Sequence, residues 1–288
     1  MPEKLLDTMS EPEIRDLFAY LTGSPLPSGR GAGGEGDGGQ KEPPKTKDPL
    51  TPNPSPPGGE GNKGKKLKLA LISGSLEYES DKTLPILQKL VEDKYPVECV
   101  RLFRRADDDI PGLTDKLAEC DAAVFFTRRL TVDGDQLKAV KAYCESGKPI
   151  IGIRTASHGF QKWLEMDGIV FGGNYKNHYK AGDKWELKTT AEGEKHPVMK
   201  GVKVWASEAS LYRNTGAAKD ITVLMTGGGK EDTEPVTWVR EREVGEKKVK
   251  QRVFYTSLGH QKDFEEENFL RLVVNGIAWA TKDERIGK

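Results

Sequence analysis

The chain has little cysteine, no surplus of either charge and no long hydrophobic run, and each shortage removes a class of protein. Only three cysteines occur in 288 residues, Cys99, Cys120 and Cys144. They are odd in number, far apart and in no C-x-x-C spacing, which excludes a disulfide framework; each reads as a small buried hydrophobe rather than a nucleophile. Lys plus Arg and Asp plus Glu each number 45, so no global basic field gathers nucleic acid or an anionic membrane. No window approaches the roughly 18 apolar residues of a bilayer crossing. The N-terminus also lacks the basic head, apolar middle and small-residue cleavage site of a secretory signal. The expectation is a cytoplasmic protein with neither nucleic acid nor membrane as partner. Histidine is scarce as well, and none of its four residues stands in H-x-x-x-H spacing, so no metal site is predicted.

What is present falls into three stretches. Residues 1–22 read as an amphipathic helix, with Ser10 as N-cap, Glu13 reaching back, and Ile14, Leu17, Phe18 and Leu21 on one stripe. A lone helix cannot bury that stripe, so the segment is either a domain remnant or docks on the main body. It resembles the closing helix of c-type cytochrome domains, but no C-x-x-C-H is present to attach haem. Residues 23–66 are Gly, Pro, Ser and charge, with two near-copies, "PLPSGRGAGGEG" and "PNPSPPGGEG", and read as a disordered linker. Its glycines are not a phosphate loop, since no strand precedes them and no Lys-Ser or Lys-Thr follows.

The folded body is expected over residues 67–283. Strands "LKLALISG", "VECVRLF", "AAVFFT" and "PIIGI" alternate with helical patterns in "LPILQKLVEDKY", "LTDKLAEC" and "DGDQLKAVKAYCESG". Near-continuous apolar strands separated by helices predict an α/β fold, a doubly wound and mostly parallel sheet with helices on both faces. The second half, "WELKTT", "ASLYRN", "ITVLMTGG", "PVTWVRERE" and "VKQRVFYTSLG", reads as mixed strands, and an amphipathic helix closes the chain.

Ligands of such sheets bind at the carboxyl ends of the strands. The first strand delivers Glu77 and Tyr78 there, the third Arg128, the fourth Arg154 and His158, and the late strand His260. The turn after "PIIGI" resembles in its place the G-x-C-x-G nucleophile elbow of class I glutamine amidotransferase-like folds, but reads Gly152, Ile153, Arg154, Thr155, Ala156. Without a thiol it performs no amide hydrolysis, and an arginine is neither nucleophile nor base. Arg154 therefore either holds substrate oxygens through paired donors or satisfies local carbonyls. His158 and His260 are the candidate proton carriers. Glu77, Tyr78, Arg128 and Arg154, with His178 on the glycine-rich loop "GGNYKNHY", are the candidate substrate-binding residues. No cofactor is indicated by any motif, and self-association is left open.

The segments "GIRTASHGF", "GGNYKNHY", "HPVMKGV", "SEASLYRN", "PVTWVRE", "RVFYTSLGH" and "NFLRLVVNGIAWA" together resemble the ThuA-like, or trehalose-utilisation, family of the class I glutamine amidotransferase-like superfamily. The resemblance implies a flavodoxin-like core and a role in disaccharide or keto-sugar metabolism, with a small carbohydrate as partner. It adds Tyr212, in "SEASLYRN", to the substrate-binding set. Two departures stand out. Ser210 precedes Leu211 and Tyr212 where relatives carry an acid, with Glu208 two positions earlier, and Arg154 stands where relatives often carry His. The expected activity is hydrolysis, isomerisation or elimination on a sugar; the alternative is a carbohydrate-binding or interaction module without catalysis.

Overall fold

The computed structural model describes residues 64–180, 182, 185–228 and 232–287. The 1–22 helix and residues 23–63 of the linker lie outside the described residues. Among the described residues no helix is long and apolar enough to cross a membrane.

One eight-stranded sheet organises the body, in the order β2-β1-β3-β4-β10-β9-β8-β6. Strands β1 (Leu67–Gly74), β2 (Val97–Phe103), β3 (Ala122–Thr127) and β4 (Ile150–Ile153) run parallel, and β10 (Val249–Thr256) joins β4 in parallel as the fifth. This is the flavodoxin-like order, doubly wound, with its switch point between β1 and β3. Strands β9 (Thr233–Val244), β8 (Ile221–Gly228) and β6 (Glu186–Thr189) extend it antiparallel. The hairpin read over "EVGEKKVKQ" joins β9 to β10 through a turn at Gly245 to Lys248. A separate two-stranded ribbon pairs β5 (Asn177–His178) with β7 (Tyr212–Arg213).

Helices α1 (Ser80–Lys94) and α4 (Glu267–Thr281) cover one face, where Leu84, Leu87, Val91, Leu272, Val273 and Ile277 are fully buried. Helix α2 (Gly134–Glu145) covers the other, with Val140 and Tyr143 against Phe125 and Val253. A fourth, five-residue helix, α3 (Ala191–Lys195), follows β6.

Three expectations differ from the structure. Residues 113–120 form turns with a single three-residue 3-10 segment, Leu117–Glu119, rather than a helix. Leu113, Leu117 and Cys120 are buried as helical spacing suggests, but Pro111 and a left-handed Gly112 (φ 79°) precede them and leave too few residues for a stable helix. Helix α1 begins at Ser80, four residues before the apolar pattern, because the Ser80 hydroxyl is held inside by Ser73 Oγ at 2.8 Å and the Ser75 amide at 2.8 Å. The strand read over "ASLYRN" shrinks to Tyr212–Arg213.

Gly152 is closely packed in β4: a Cβ there would lie 2.5 Å from Phe171 and 2.7 Å from Tyr255. Both rings are fully buried. Gly152→Ala is therefore expected to cost about 2–3 kcal/mol of stability by overpacking, measured by urea unfolding; an unchanged midpoint contradicts the rigidity of that contact.

Candidate functional site

Because β1, β3, β4 and β10 are parallel, their carboxyl ends share one edge of the sheet. At the end of β4 the chain turns on Arg154, a non-glycine residue with φ 45°. This left-handed conformation costs roughly 1–2 kcal/mol, and the Tyr255 hydroxyl holds it by donating to the Arg154 carbonyl at 2.5 Å. The side chain is wholly buried. Its Nη1 donates to the Ser257 carbonyl at 2.6 Å, and Nη2 to Tyr78 Oη at 2.9 Å and Ser210 Oγ at 3.1 Å. The guanidinium carbon lies 4.4 Å from the centre of the Tyr78 ring and 4.6 Å from that of Tyr212. Its Nε has no partner, and no carboxylate is among its hydrogen-bond partners. The guanidinium thus clamps the ends of β1, β7 and β10 from inside the protein.

The other expected site residues divide around this clamp. Tyr78 and Tyr212 are the two rings enclosing it and are themselves buried. His260 is half-buried, edge-on to Tyr78 at 6.1 Å, and its Nδ1 accepts from the Lys262 amide at 3.4 Å as the cap of the turn Gln261–Glu265. Glu77 pairs with Arg128 at 2.5 Å nearer the surface. His178 is exposed on β5, its Nδ1 2.8 Å from the Tyr179 carbonyl. Glu208 is drawn outward into an ion pair with Lys262 at 2.7 Å, while Ser210, in the position where an acid was expected, binds Arg154.

A cleft of about 760 Å³ opens beside the clamp, and of the expected residues only His158 lines it. His158 ends the 3-10 turn Arg154–His158. Its ring stacks on Tyr175 at 4.4 Å, and Nδ1 is 3.0 Å from Ser157 Oγ. Burial, followed by the charges of Arg129, Arg128 and Arg154, pushes its pKa down to about 3. The imidazole is therefore neutral across the physiological range, a hydrogen-bonding group rather than a proton carrier near pH 7.

Asp167, which the sequence reading passed over, faces the same cleft. It is 7% exposed; Oδ2 accepts from the Tyr175 amide at 2.7 Å and Oδ1 has no partner. Burial raises its pKa from 3.8 to about 6, against the opposing Tyr175 hydrogen bond. A Cβ at residue 173 would come within 2.2 Å of Oδ1, so Gly173 is what leaves the carboxylate room. The signal in the sequence was an acid inside an apolar helical stripe, between Trp163, Met166 and Val170.

The turn that carries it, Asp167–Phe171, is fastened by one face of β9. Arg240 Nη1 donates to the carbonyls of Gly168 (3.0 Å) and Ile169 (2.8 Å), Arg242 Nη1 to Ile169 (2.8 Å), and Trp238 Nε1 to Phe171 (2.7 Å). Residues two apart on a strand share a face, so "TWVRERE" delivers all three donors to the carbonyl end of a helical turn, where cations are favoured. Among the described residues no three His, Cys, Asp or Glu side chains cluster as metal ligands.

Two stability predictions follow from these burials. The folded value of Asp167 lies above that of the unfolded chain, so between about pH 4 and 6 folding takes up a proton and stability falls as pH rises; His158, depressed from 6.5, acts in the opposite sense as pH falls below about 6.5. Asp167→Asn keeps an acceptor for the Tyr175 amide and removes the charge. It is expected to exceed the native chain in stability by on the order of 2 kcal/mol near pH 7.5, with the gain vanishing near pH 4. Urea unfolding at both values measures it, and a pH-independent difference contradicts the buried charge. Arg154→Leu, which removes the donor to both the Tyr78 hydroxyl and the Ser257 carbonyl, is expected to cost about 3 kcal/mol or more; a loss below about 1 kcal/mol in the same assay contradicts the clamp.

The ThuA family, described as trehalose utilisation, matches residues 73–280. No curated protein sequence matches the chain. Among solved structures, a ThuA-like protein from Parabacteroides merdae superposes with TM-score 0.58 at 18% identity, covering 78% of this chain and 92% of that one. A ThuA-like protein from Bacteroides uniformis gives TM-score 0.55 at 17% identity, covering 77% and 94%. These likenesses establish a shared fold, and the match over residues 73–280 establishes kinship: the chain belongs to the ThuA family.

Proposed function

We propose that this protein binds a small carbohydrate in the cleft between His158 and Asp167 and processes it by proton transfer, with Asp167 as the group that gains and loses the proton. The observation that carries this reading is the reversed order of acidity in one cavity: a carboxyl raised to about 6 beside an imidazole lowered to about 3. Pairs of titratable groups whose surroundings drive their pKa values apart characterise acid-base sites. A carboxyl near 6 exchanges protons readily at neutral pH, while a neutral imidazole donates or accepts a hydrogen bond to a hydroxyl or carbonyl without changing charge.

The lining suits a sugar. Tyr175 lines the cleft with its ring packed on His158 and Tyr212, and Asn174, Ser157 and Gln161 offer neutral hydrogen-bonding groups. Leu164 and Ile169, 52% and 51% exposed at the same cleft, offer apolar surface for a second ring. The family's description as trehalose utilisation supports a carbohydrate of disaccharide size. On a keto-sugar, Asp167 would remove the proton from the carbon next to the carbonyl; return of the proton to a neighbouring atom isomerises the sugar, and departure of a β-substituent completes an elimination. On an unoxidised glycoside the same carboxyl, protonated, would assist hydrolysis. Arg154, His260, Tyr78 and Tyr212 act from behind the cleft as its support.

A screen of disaccharides and their keto forms with mass detection is expected to reveal one converted substrate. Asp167→Asn is then expected to lower turnover by about 10²-fold or more with little change in KM, and the native pH profile to bend near pH 6. His158→Gln is expected to raise KM more than it lowers turnover. Saturable sugar binding without any product in the screen would instead favour the binding-module reading, and native turnover in Asp167→Asn removes that residue from the chemistry.

A further inference from the structure

The cleft is not electrically uniform. Its acidic members, Glu165 and Asp167, come from the segment that follows the turn at Trp163, whereas Arg129 stands at the exit of β3 beside His158. The Arg129 amide donates to the His158 carbonyl at 2.8 Å, which fixes the two residues side by side. Arg129 is a second non-glycine residue in the left-handed region, with φ 48°. Arginines at the ends of adjacent strands, Arg129 on β3 and Arg154 on β4, are thus both held in conformations that cost energy, and such strain collects where function requires a fixed geometry.

The partners of the cations at this end differ in a telling way. Arg128 is matched by Glu77 at 2.5 Å. Arg154 is buried with hydroxyl, carbonyl and ring partners in place of a carboxylate. Arg129 and Lys176 line the cleft with exposed side chains and take part in no ion pair or side-chain hydrogen bond among the described residues. The charges of Arg128, Arg129 and Arg154 all act on His158, with Glu77 on Arg128 as the one carboxylate paired to them, and the neutral imidazole adds a hydrogen-bonding group without a competing negative charge. Glu165 is exposed at the same cleft. A planar fork of donors next to a neutral donor, at the carboxyl ends of parallel strands, matches the oxygens of a carboxylate or phosphate group.

We infer that the substrate of this cleft carries an anionic group, a carboxylate or a phosphate ester, seated between Arg129 and His158, with the sugar body extending past Tyr175 toward Asp167. This deepens the carbohydrate reading above and rests on it: it assigns the substrate to the sugar acids or sugar phosphates, and gives Arg129 the role of selecting them.

The test is calorimetric titration of the full chain with glucose, glucuronate, glucose 6-phosphate and inorganic phosphate, at low and high salt. At least one charged sugar is expected to bind about tenfold or more tightly than glucose, with the advantage shrinking as salt rises. Comparison of glucuronate with glucose 6-phosphate tells which anion fits. Arg129→Gln is expected to bring the charged-to-neutral affinity ratio close to one, and Arg129→Lys to restore part of it, both with an unaltered thermal midpoint. Equal affinities for charged and neutral sugars, or a ratio untouched by Arg129→Gln, overturn the inference and leave the carbohydrate reading standing. Binding of inorganic phosphate that Arg129→Gln abolishes, with no sugar bound, keeps the anion site and removes the carbohydrate. No binding of any of the four overturns the anion site.

Discussion

A buried guanidinium with no carboxylate beside it holds this protein's functional edge together. Removing a cation from water is expensive, and Arg154 recovers that cost from Tyr78, Ser210 and Ser257 as hydrogen-bond partners and from two aromatic faces; each desolvated cation–π contact supplies about 2 kcal/mol. Because these partners come from the ends of β1, β7 and β10, the requirement to satisfy one side chain brings distant segments into register. Tyr255 completes the arrangement by holding the strained backbone at Arg154 itself. The turn after β4 thus carries a buried structural cation, and the cleft lined by His158 and Asp167 lies beside it.

The same charge helps set the acidity in the cleft. After burial, the neighbouring arginines are what keep His158 neutral, and a neutral imidazole can share a cavity with Asp167 without forming the ion pair that would lower the carboxyl's pKa. The turn that carries Asp167 is fastened by β9, whose alternating Trp238, Arg240 and Arg242 donate to its carbonyls. The antiparallel extension of the sheet is therefore part of the site's machinery: it supplies the donors that the parallel core lacks.

Much of the framework was legible in the sequence. Continuous apolar strands between helical patterns identified β1 to β4, and the parallel order follows from right-handed crossovers. The expectation that polar side chains collect at the strand exits also agrees with where Glu77, Tyr78, Arg128, Arg154, His158 and His260 sit. What the pattern did not convey is which of them face solvent. Tyr78, Arg154 and Tyr212 turn inward around one another, Glu208 turns outward to Lys262, and His260 caps a turn. Asp167 was overlooked because an acid inside an apolar stripe looks like a tolerated exception until its neighbours enclose it.

By itself the sequence determined the class of fold, the order of the central elements along the chain, the family and the absence of a thiol from the turn after β4, because periodicity and residue identity are local properties of the chain. Only the tertiary structure decided that His158 and Asp167 share a cavity, that their acidities are reversed and that Arg154 is enclosed. Burial and the distances between charges depend on segments far apart in sequence, and no local pattern encodes how much water a folded neighbour will exclude.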